Sequence, residues 1–547
     1  MRLALVGLHN DRCYGLRTIA SYLRERGHEF RLIIFKEFRC HIVPDAETET
    51  WRRILSATYP PLVEPREEGN IPCPYVHPTT DREWEIFLEQ MTAFRPDLIG
   101  LSVATPVFDV AREMTKRIHR ELPGVPVIWG GPHPTICPEE SLRWADLIAL
   151  GEAEETMAEL CADFDRTDIR GLWRRRNGGI VQNPLRPLEQ DLDRFPFAVF
   201  GEHESMIEND TLVDLPASNK GYFRFIYTIM TQRGCPFQCT YCIHHCLRTM
   251  HRGERYFRRR SVENVLAECE QRKRDFDMPG FAFYDDVFVI EPRWIAEFCE
   301  KYPRRIGLPF GGYCYPVAGL DQMFRLLKQA GMAFAALGIQ TGSDYIGREI
   351  YGRKYDNDAI VRLAETVHQY GIAANYEILT NCPYESEADC RATLDLILRM
   401  PKALDFRMKK IVFFPGTKIN TIDRPRHNLP ENVFDFYNQL YLIASHKAIP
   451  AEAMRALAED AYLKANPRLV QAIALALRRA VDEANAAKGP APPPPAAAPE
   501  EQPTWRGFLR YGKRLAAQCL PAPVAHGLRS ILRGPKPPQP AEQVRQS

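Results

Sequence analysis

Residues 223–242 read FRFIYTIMTQRGCPFQCTYC: an apolar run of strand character, a turn at Gly234, then Cys235, Cys239 and Cys242 in the spacing CxxxCxxC. A strand that runs straight into such a loop sets the three thiols at its carboxyl end. Beyond the loop the chain alternates between amphipathic and apolar segments: ENVLAECEQRKRDF, FAFYDDVFVI (281–290), RWIAEFCEKY, LPFGGYCYPV, LDQMFRLLKQAG, AFAALGIQTG (333–342), AIVRLAETVHQYG, AANYEILTN (373–381), CRATLDLILRM and FRMKKIVFFPG (406–416). Six strands, each followed by a helix until the last, predict a partial (β/α)6 barrel over 223–425, with its chemistry at the carboxyl ends of the strands.

Upstream, residues 1–160 alternate in the same way, from RLALVGL (2–8) and YGLRTIASYLRERG (14–27) through EFRLIIF (29–35), DLIGLSVA (97–104) and VPVIWGG (125–131). Near-continuous apolar strands separated by amphipathic helices predict a doubly wound parallel sheet, an α/β fold whose ligands sit beyond the carboxyl ends of the strands. The segments placed there are His9–Gly15, Ser102–Pro106, Gly130–Thr135 and Gly151–Glu155. Residues 161–222 read as a turn-rich connector with a hairpin at Asn177-Gly178-Gly179. Residues 426–488 read as a small helical C-terminal region, 489–503 (GPAPPPPAAAPEEQP) as a proline-rich linker, and the remainder to 547 as a basic tail interleaved with aromatic residues.

The composition is globular, 45% hydrophobic and 26% charged over 547 residues, and 71 basic against 70 acidic side chains leave a net charge of +1. No global field draws the chain to nucleic acid. The absence of a signal peptide and of a long apolar run predicts a cytoplasmic protein. Fifteen cysteines, an odd number, scattered apart from one dense cluster, do not form a secreted disulfide framework, so the cluster calls for a metal.

Closely spaced thiolates hold iron–sulfur cubanes, and three ligands leave one iron open to a small molecule. The competing reading is a zinc site on Cys235, Cys239, Cys242 and Cys246, with His244 and His245 between them; structural zinc sites usually draw on two separated ligand pairs. The CxxxCxxC loop after a first barrel strand, with Tyr241 before the last cysteine, resembles the radical S-adenosylmethionine (SAM) superfamily. That resemblance implies a 4Fe-4S cluster on Cys235, Cys239 and Cys242 that chelates SAM and cleaves it to a 5′-deoxyadenosyl radical. It also implies an electron donor such as flavodoxin or ferredoxin. The resemblance extends to further positions: Tyr284-Asp285-Asp286 after strand two for the SAM amino group, and Gln340 and Ser343 of GIQTGS near the ribose, with Gln340 where Glu is common. Arg353 or Lys354 would reach the carboxylate, and the loosely matching Glu377–Glu385 would lie by the adenine. A solvated turn at Asp285-Asp286 and a solvent-facing Arg353 are the plainer alternatives.

No GxGxxG follows the first strand, which argues against a dinucleotide. The front domain instead resembles the cobalamin-binding domain that precedes the barrel in one radical SAM subfamily, on Ser102, on Gly130-Gly131-Pro132-His133-Pro134-Thr135 with Pro138-Glu139-Glu140, and on Gly151-Glu152-Ala153-Glu154. Small residues suit a nucleotide tail that passes close to the backbone. The DxHxxG motif that supplies cobalt with a lower histidine is absent, which implies cobalt without a protein ligand, His9 being the alternative. The layout implies methyl transfer to an unreactive carbon, with oxidative cyclisation or rearrangement as the rival chemistry. A non-catalytic cobalamin or iron–sulfur sensor is the rival from another class. The basic tail, with eight Lys or Arg against one acid from Thr504 onward, is expected either to dock on an anionic membrane, which suits a lipid-like substrate, or to be a solvated disordered segment.

Overall fold

A computed structural model describes residues 1–10, 12–36, 79–215 and 227–470, apart from 277, 279, 404, 446, 448 and 468. The proline-rich linker, the basic tail and most of the last predicted helix lie outside these residues.

The front sheet is built on β1 (Arg2–Leu8), β2 (Glu29–Phe35), β3 (Leu98–Ser102), β4 (Val127–Gly130) and β5 (Leu147–Ala149). The strands are buried almost end to end because helices cover both faces, one apolar cluster lying on each side of the sheet. β1 pairs in parallel with both β2 and β3, so the chain reverses its winding direction there, and this is where a doubly wound sheet opens a crevice. The helix Asp81–Phe94 begins with a capping box in which Thr80 and Glu83 satisfy each other's backbone amides, and it ends at Arg95 in the left-handed conformation.

The expected connector proves to be part of this sheet. β6 (Leu172–Arg176) and β7 (Gly179–Gln182), joined at Asn177-Gly178, extend one edge antiparallel to β5. β8 (Glu204–Glu208) joins β2 in parallel on the other edge, with β9 (Thr211–Asp214) antiparallel beyond it. The nine-stranded order is β7-β6-β5-β4-β3-β1-β2-β8-β9. These strands are short and largely polar on one face, so their periodicity is weak in the sequence.

The second sheet has six parallel strands in sequential order: β10 (Tyr227–Ile229), β13 (Phe281–Phe283), β14 (Phe310–Cys314), β15 (Met332–Gln340), β16 (Ala373–Thr380) and β17 (Asp405–Lys410). Between the first two, β11 (Gln232–Arg233) and β12 (Arg258–Arg259) form a small antiparallel ladder beneath the cysteine loop. Register shifts at Phe310/Gly311 and Gly338/Gln340 let the sheet curl, and the helices pack on its convex face around one large apolar core. This is the half-barrel expected from the sequence. Among the described residues three helices come after it: Glu431–Ser445 and Ala451–Ala458 pack against the helix Glu387–Arg399, and Ala461–Ala465 packs against Glu431–Ser445. No helix among the described residues is long and apolar enough to cross a membrane.

Candidate active site

The cysteine loop leaves β11 through Gly234, at φ 79°, where any Cβ would collide with the Tyr256 carbonyl; no other residue fits. From there the loop is pinned at several points. Phe237 stacks on Tyr315 with ring centroids 3.7 Å apart, Thr240 donates its amide to Tyr351 O at 3.0 Å, and Arg248 donates to Cys235 O. Cys242 then serves as the N-cap residue of the helix Ile243–Met250.

Cys235, Cys239 and Cys242 line one cavity of about 280 Å3 at the carboxyl ends of the barrel strands. Among the described residues, one group of three metal-type side chains has its ligand atoms gathered within 4.8 Å, and it is His133, Cys137 and Glu140, not the loop cysteines. Three thiols brought to one cavity suit a multi-iron cluster. Cys246 points elsewhere, its Sγ 3.8 Å from Pro415 O. Burial pushes the Cys235 and Cys242 thiols up to about 12, so protons must leave when iron binds.

The same cavity is lined by Tyr241, Asp285, Asp286, Gln340 and Arg353, and by His244, Tyr313 and Glu377. Arg353 is 6% exposed; it donates to Gly338 O at 2.6 Å and lies over the Tyr355 ring at 4.5 Å, while its Nε has no hydrogen-bond partner among the described residues. The neighbouring Lys354 is exposed. The two aspartates divide their work. Asp285 is buried and accepts from Thr231 N and Oγ1, both at 2.6 Å, and from Gln232 N at 3.1 Å, so its carboxylate holds the strand leading to Cys235. Burial pushes this carboxyl up to about 6, against Arg259 and those hydrogen bonds. Asp286 faces the cavity, 2.8 Å from His244 Nε2, whose other ring nitrogen is 2.6 Å from Tyr256 OH. Gln340, at φ 69°, folds its amide back over Gly338.

Ser343 is not among the cavity-lining residues: its hydroxyl donates to Asp389 and accepts from Ile346 N, where the turn of π-helix Ile346–Ile350 begins. Glu377, 7% exposed on the inner face of β16, accepts from Tyr313 OH at 2.9 Å and Lys409 Nζ at 3.3 Å. An acid alternating with the buried Tyr376 and Ile378 in an apolar strand was its signal in the sequence.

A second cavity, of about 320 Å3, lies where the front sheet meets the barrel. Ser102, Gly130, Gly131, Gly151 and Glu152 line it from the front, and Met230, Gln232 and Arg233 from the barrel. At Gly131, φ is 102° and a Cβ would stand 3.0 Å from Val103 O, so the backbone wall depends on glycine. Thr135 stands behind this wall, donating to Gly131 O at 2.8 Å and accepting from Gly151 N at 3.0 Å. Glu152 reaches out of the front domain: its carboxylate takes Arg258 at 2.5 Å and Arg233 at 3.1 Å, and Glu154 takes Arg233 at 2.5 Å. Burial acts against ionisation of Glu152, but Arg258 and Arg233 hold its carboxyl below the usual range. His9 is buried and lines neither cavity.

Family models match in two places, a B12 binding domain at residues 75–161 and the Radical SAM superfamily at 229–397. An uncharacterised methyltransferase of Pyrococcus horikoshii is 25% identical over 338 residues, 60% of this chain and 69% of that protein. The anaerobic magnesium-protoporphyrin IX monomethyl ester cyclase of Rubrivivax gelatinosus is 25% identical over 280 residues, but the chain spans only 47% of its length. Among solved structures, the radical SAM methyltransferase TsrM of Kitasatospora setae with cobalamin and a 4Fe-4S cluster bound superposes with a TM-score of 0.55 at 19% identity, covering 76% of this chain and 77% of that one. At that identity the likeness is one of fold.

Proposed function

This chain is a radical SAM enzyme with an N-terminal cobalamin-binding domain, and from that premise we propose that it transfers a methyl group to an unreactive carbon of a small-molecule substrate. One observation carries the reading. The segment Met230–Cys235 is a common wall: Met230, Gln232 and Arg233 line the front cavity, and Cys235 lines the rear one. A substrate at that wall would be within reach of both cofactors.

Both cavities fit their groups. Gly131 provides a cradle that a Cβ would fill, and the three thiols line one cavity. When bound, the cluster and SAM supply a 5′-deoxyadenosyl radical, and cobalamin supplies the methyl group. The protein's part is to bind and orient. Cys235, Cys239 and Cys242 hold the cluster. Arg353 would offer its guanidinium to the SAM carboxylate and Asp286 an acceptor to the SAM ammonium, both charge-assisted contacts. Asp285, with both oxygens already engaged, positions the loop. Glu377 and Tyr313 present a hydrogen-bonded acid and phenol on the remaining wall, where substrate polar groups would be read. An external one-electron donor such as flavodoxin or ferredoxin belongs to this reading.

Oxidative cyclisation is the second reading, favoured by the cyclase relatives at 24–28% identity. The full chain, reconstituted anaerobically with iron, sulfide and hydroxocobalamin and given SAM and a strong reductant, separates the two. Methyl transfer yields S-adenosylhomocysteine together with 5′-deoxyadenosine. Cyclisation yields 5′-deoxyadenosine without S-adenosylhomocysteine, and that result would remove the methyltransferase proposal.

A further inference from the structure

Gln232 is 2% exposed, and neither its side-chain nitrogen nor its side-chain oxygen has a hydrogen-bond partner among the described residues. Leaving such an amide dry is costly, and native proteins seldom keep one without a reason. The Gln232 backbone is paired with Arg259 in the β11–β12 ladder, and its amide N donates to Asp285. Gln232 borders the front cavity, opposite the glycine-rich wall, with its side-chain nitrogen and oxygen buried beneath that surface. The charged groups around it are already matched, Arg233 with Glu152 and Glu154, and Arg260 with Glu268. An uncharged donor–acceptor pair is therefore left over at the edge of an otherwise satisfied pocket.

We propose that Gln232 is a corrin-binding residue contributed by the barrel, its side-chain amide pairing with a primary carboxamide arm at the edge of the macrocycle. The proposal rests on the cobalamin reading of the front cavity. A carboxamide is the chemical complement of an amide, accepting at oxygen and donating at nitrogen, and a corrin ring carries such arms around its rim. A phosphate could use only the nitrogen of Gln232 and would leave its oxygen dry. The contact has a second consequence. Gln232 lies three residues before Cys235 in a strand held by Asp285, so a corrin arm bound there also steadies the backbone that carries a cluster ligand.

The test is corrinoid binding by the full chain, measured by absorbance, for wild type, Gln232→Met and Gln232→Leu, together with the thermal midpoint of each corrinoid-free protein. The expected result has opposite signs. Affinity for hydroxocobalamin falls on the order of ten-fold, while the corrinoid-free midpoint holds or rises because a dry amide has been replaced by apolar atoms. The same loss is expected with hydroxocobinamide, which keeps the arms and lacks the nucleotide tail. Unchanged affinity in both variants overturns the proposal, and so does a loss of affinity accompanied by a matching fall in midpoint, the mark of a merely structural residue. A loss confined to hydroxocobalamin moves the contact to the tail and overturns the carboxamide assignment. Wild-type protein that binds neither corrinoid overturns the cobalamin reading of the cavity and this inference with it.

Discussion

The two cavities share a wall and are built from different materials. The rear one is made of side chains with chemistry of their own: three thiols, Asp286, His244, Arg353 and Glu377. The front one presents backbone at Gly15, Gly130, Gly131 and Gly151 and apolar side chains over much of the rest, with most of its charged groups tied to one another. A site that makes bonds to iron and to a charged amino acid needs ionisable groups in place. A site that admits a bulky preformed cofactor needs space and a close backbone. Substitutions should separate the two cavities accordingly.

The largest separation is expected at the cysteines. Cys235→Ala, Cys239→Ala and Cys242→Ala should each abolish the iron–sulfur absorption and all 5′-deoxyadenosine formation, while leaving hydroxocobalamin binding in place. Cys246→Ala should do neither, because its Sγ faces Pro415 and not the cavity. Iron and sulfide content, SAM cleavage and corrinoid absorbance measured on the same samples check this. A Cys246→Ala protein as iron-poor as the other three would break the three-cysteine assignment.

The same contrast explains what could be read from the chain. The rear cavity was legible because CxxxCxxC after a strand is a local pattern, and the alternation downstream of it marks all six strands. The division of labour between Asp285 and Asp286 was not legible. Adjacent residues on a strand end point in opposite directions, and which one meets Thr231 depends on pairing between β10 and β13, 54 residues apart. The hydrogen bond of Ser343 to Asp389 was not legible either, since the two residues lie 46 positions apart. In the front domain the glycines marked the cavity, yet the ion pairs of Glu152 and Glu154 with the barrel arginines are contacts 79 to 106 residues apart that no local pattern encodes. The β6–β7 hairpin was marked by Asn177-Gly178-Gly179, but its place in the front sheet, and the strands β8 and β9, escaped because short strands with one polar face resemble loops.

Those ion pairs supply a smaller expected effect on the shared wall itself. Glu154→Ala removes a carboxylate whose side chain is 6% exposed and leaves Arg233, 23% exposed, with Glu152 alone. The cost should be about 2 kcal/mol, below the range for a fully buried pair because Arg233 keeps one partner and touches the cavity. Equilibrium denaturation of the corrinoid-free chain checks the value. The loss should be non-additive with Arg233→Met, since the two side chains are in contact. Additive losses would mean that the pair does not join the domains energetically.

His9 supplies the smallest expected effect and the sharpest statement about the front cavity. It stands just after β1, where a lower ligand to cobalt would come from, yet it lines neither cavity. Burial, and then the charge of Lys36, lowers its imidazole to about 4, so it is neutral at working pH. His9→Ala should leave the visible spectrum of bound cobalamin unchanged, because those bands report the axial ligands of cobalt. Its trace should appear in acid stability instead. The unfolded chain takes up a proton near the ordinary histidine value of 6.5 and the folded chain only near 4, so unfolding binds protons between the two. The stability tied to His9 is therefore complete above about 6.5 and is lost as the pH falls toward 4. His9→Ala should flatten that part of the stability–pH curve. A shifted cobalamin spectrum with an unaltered acid limb would make His9 a cobalt ligand and overturn the backbone-walled picture of this cavity.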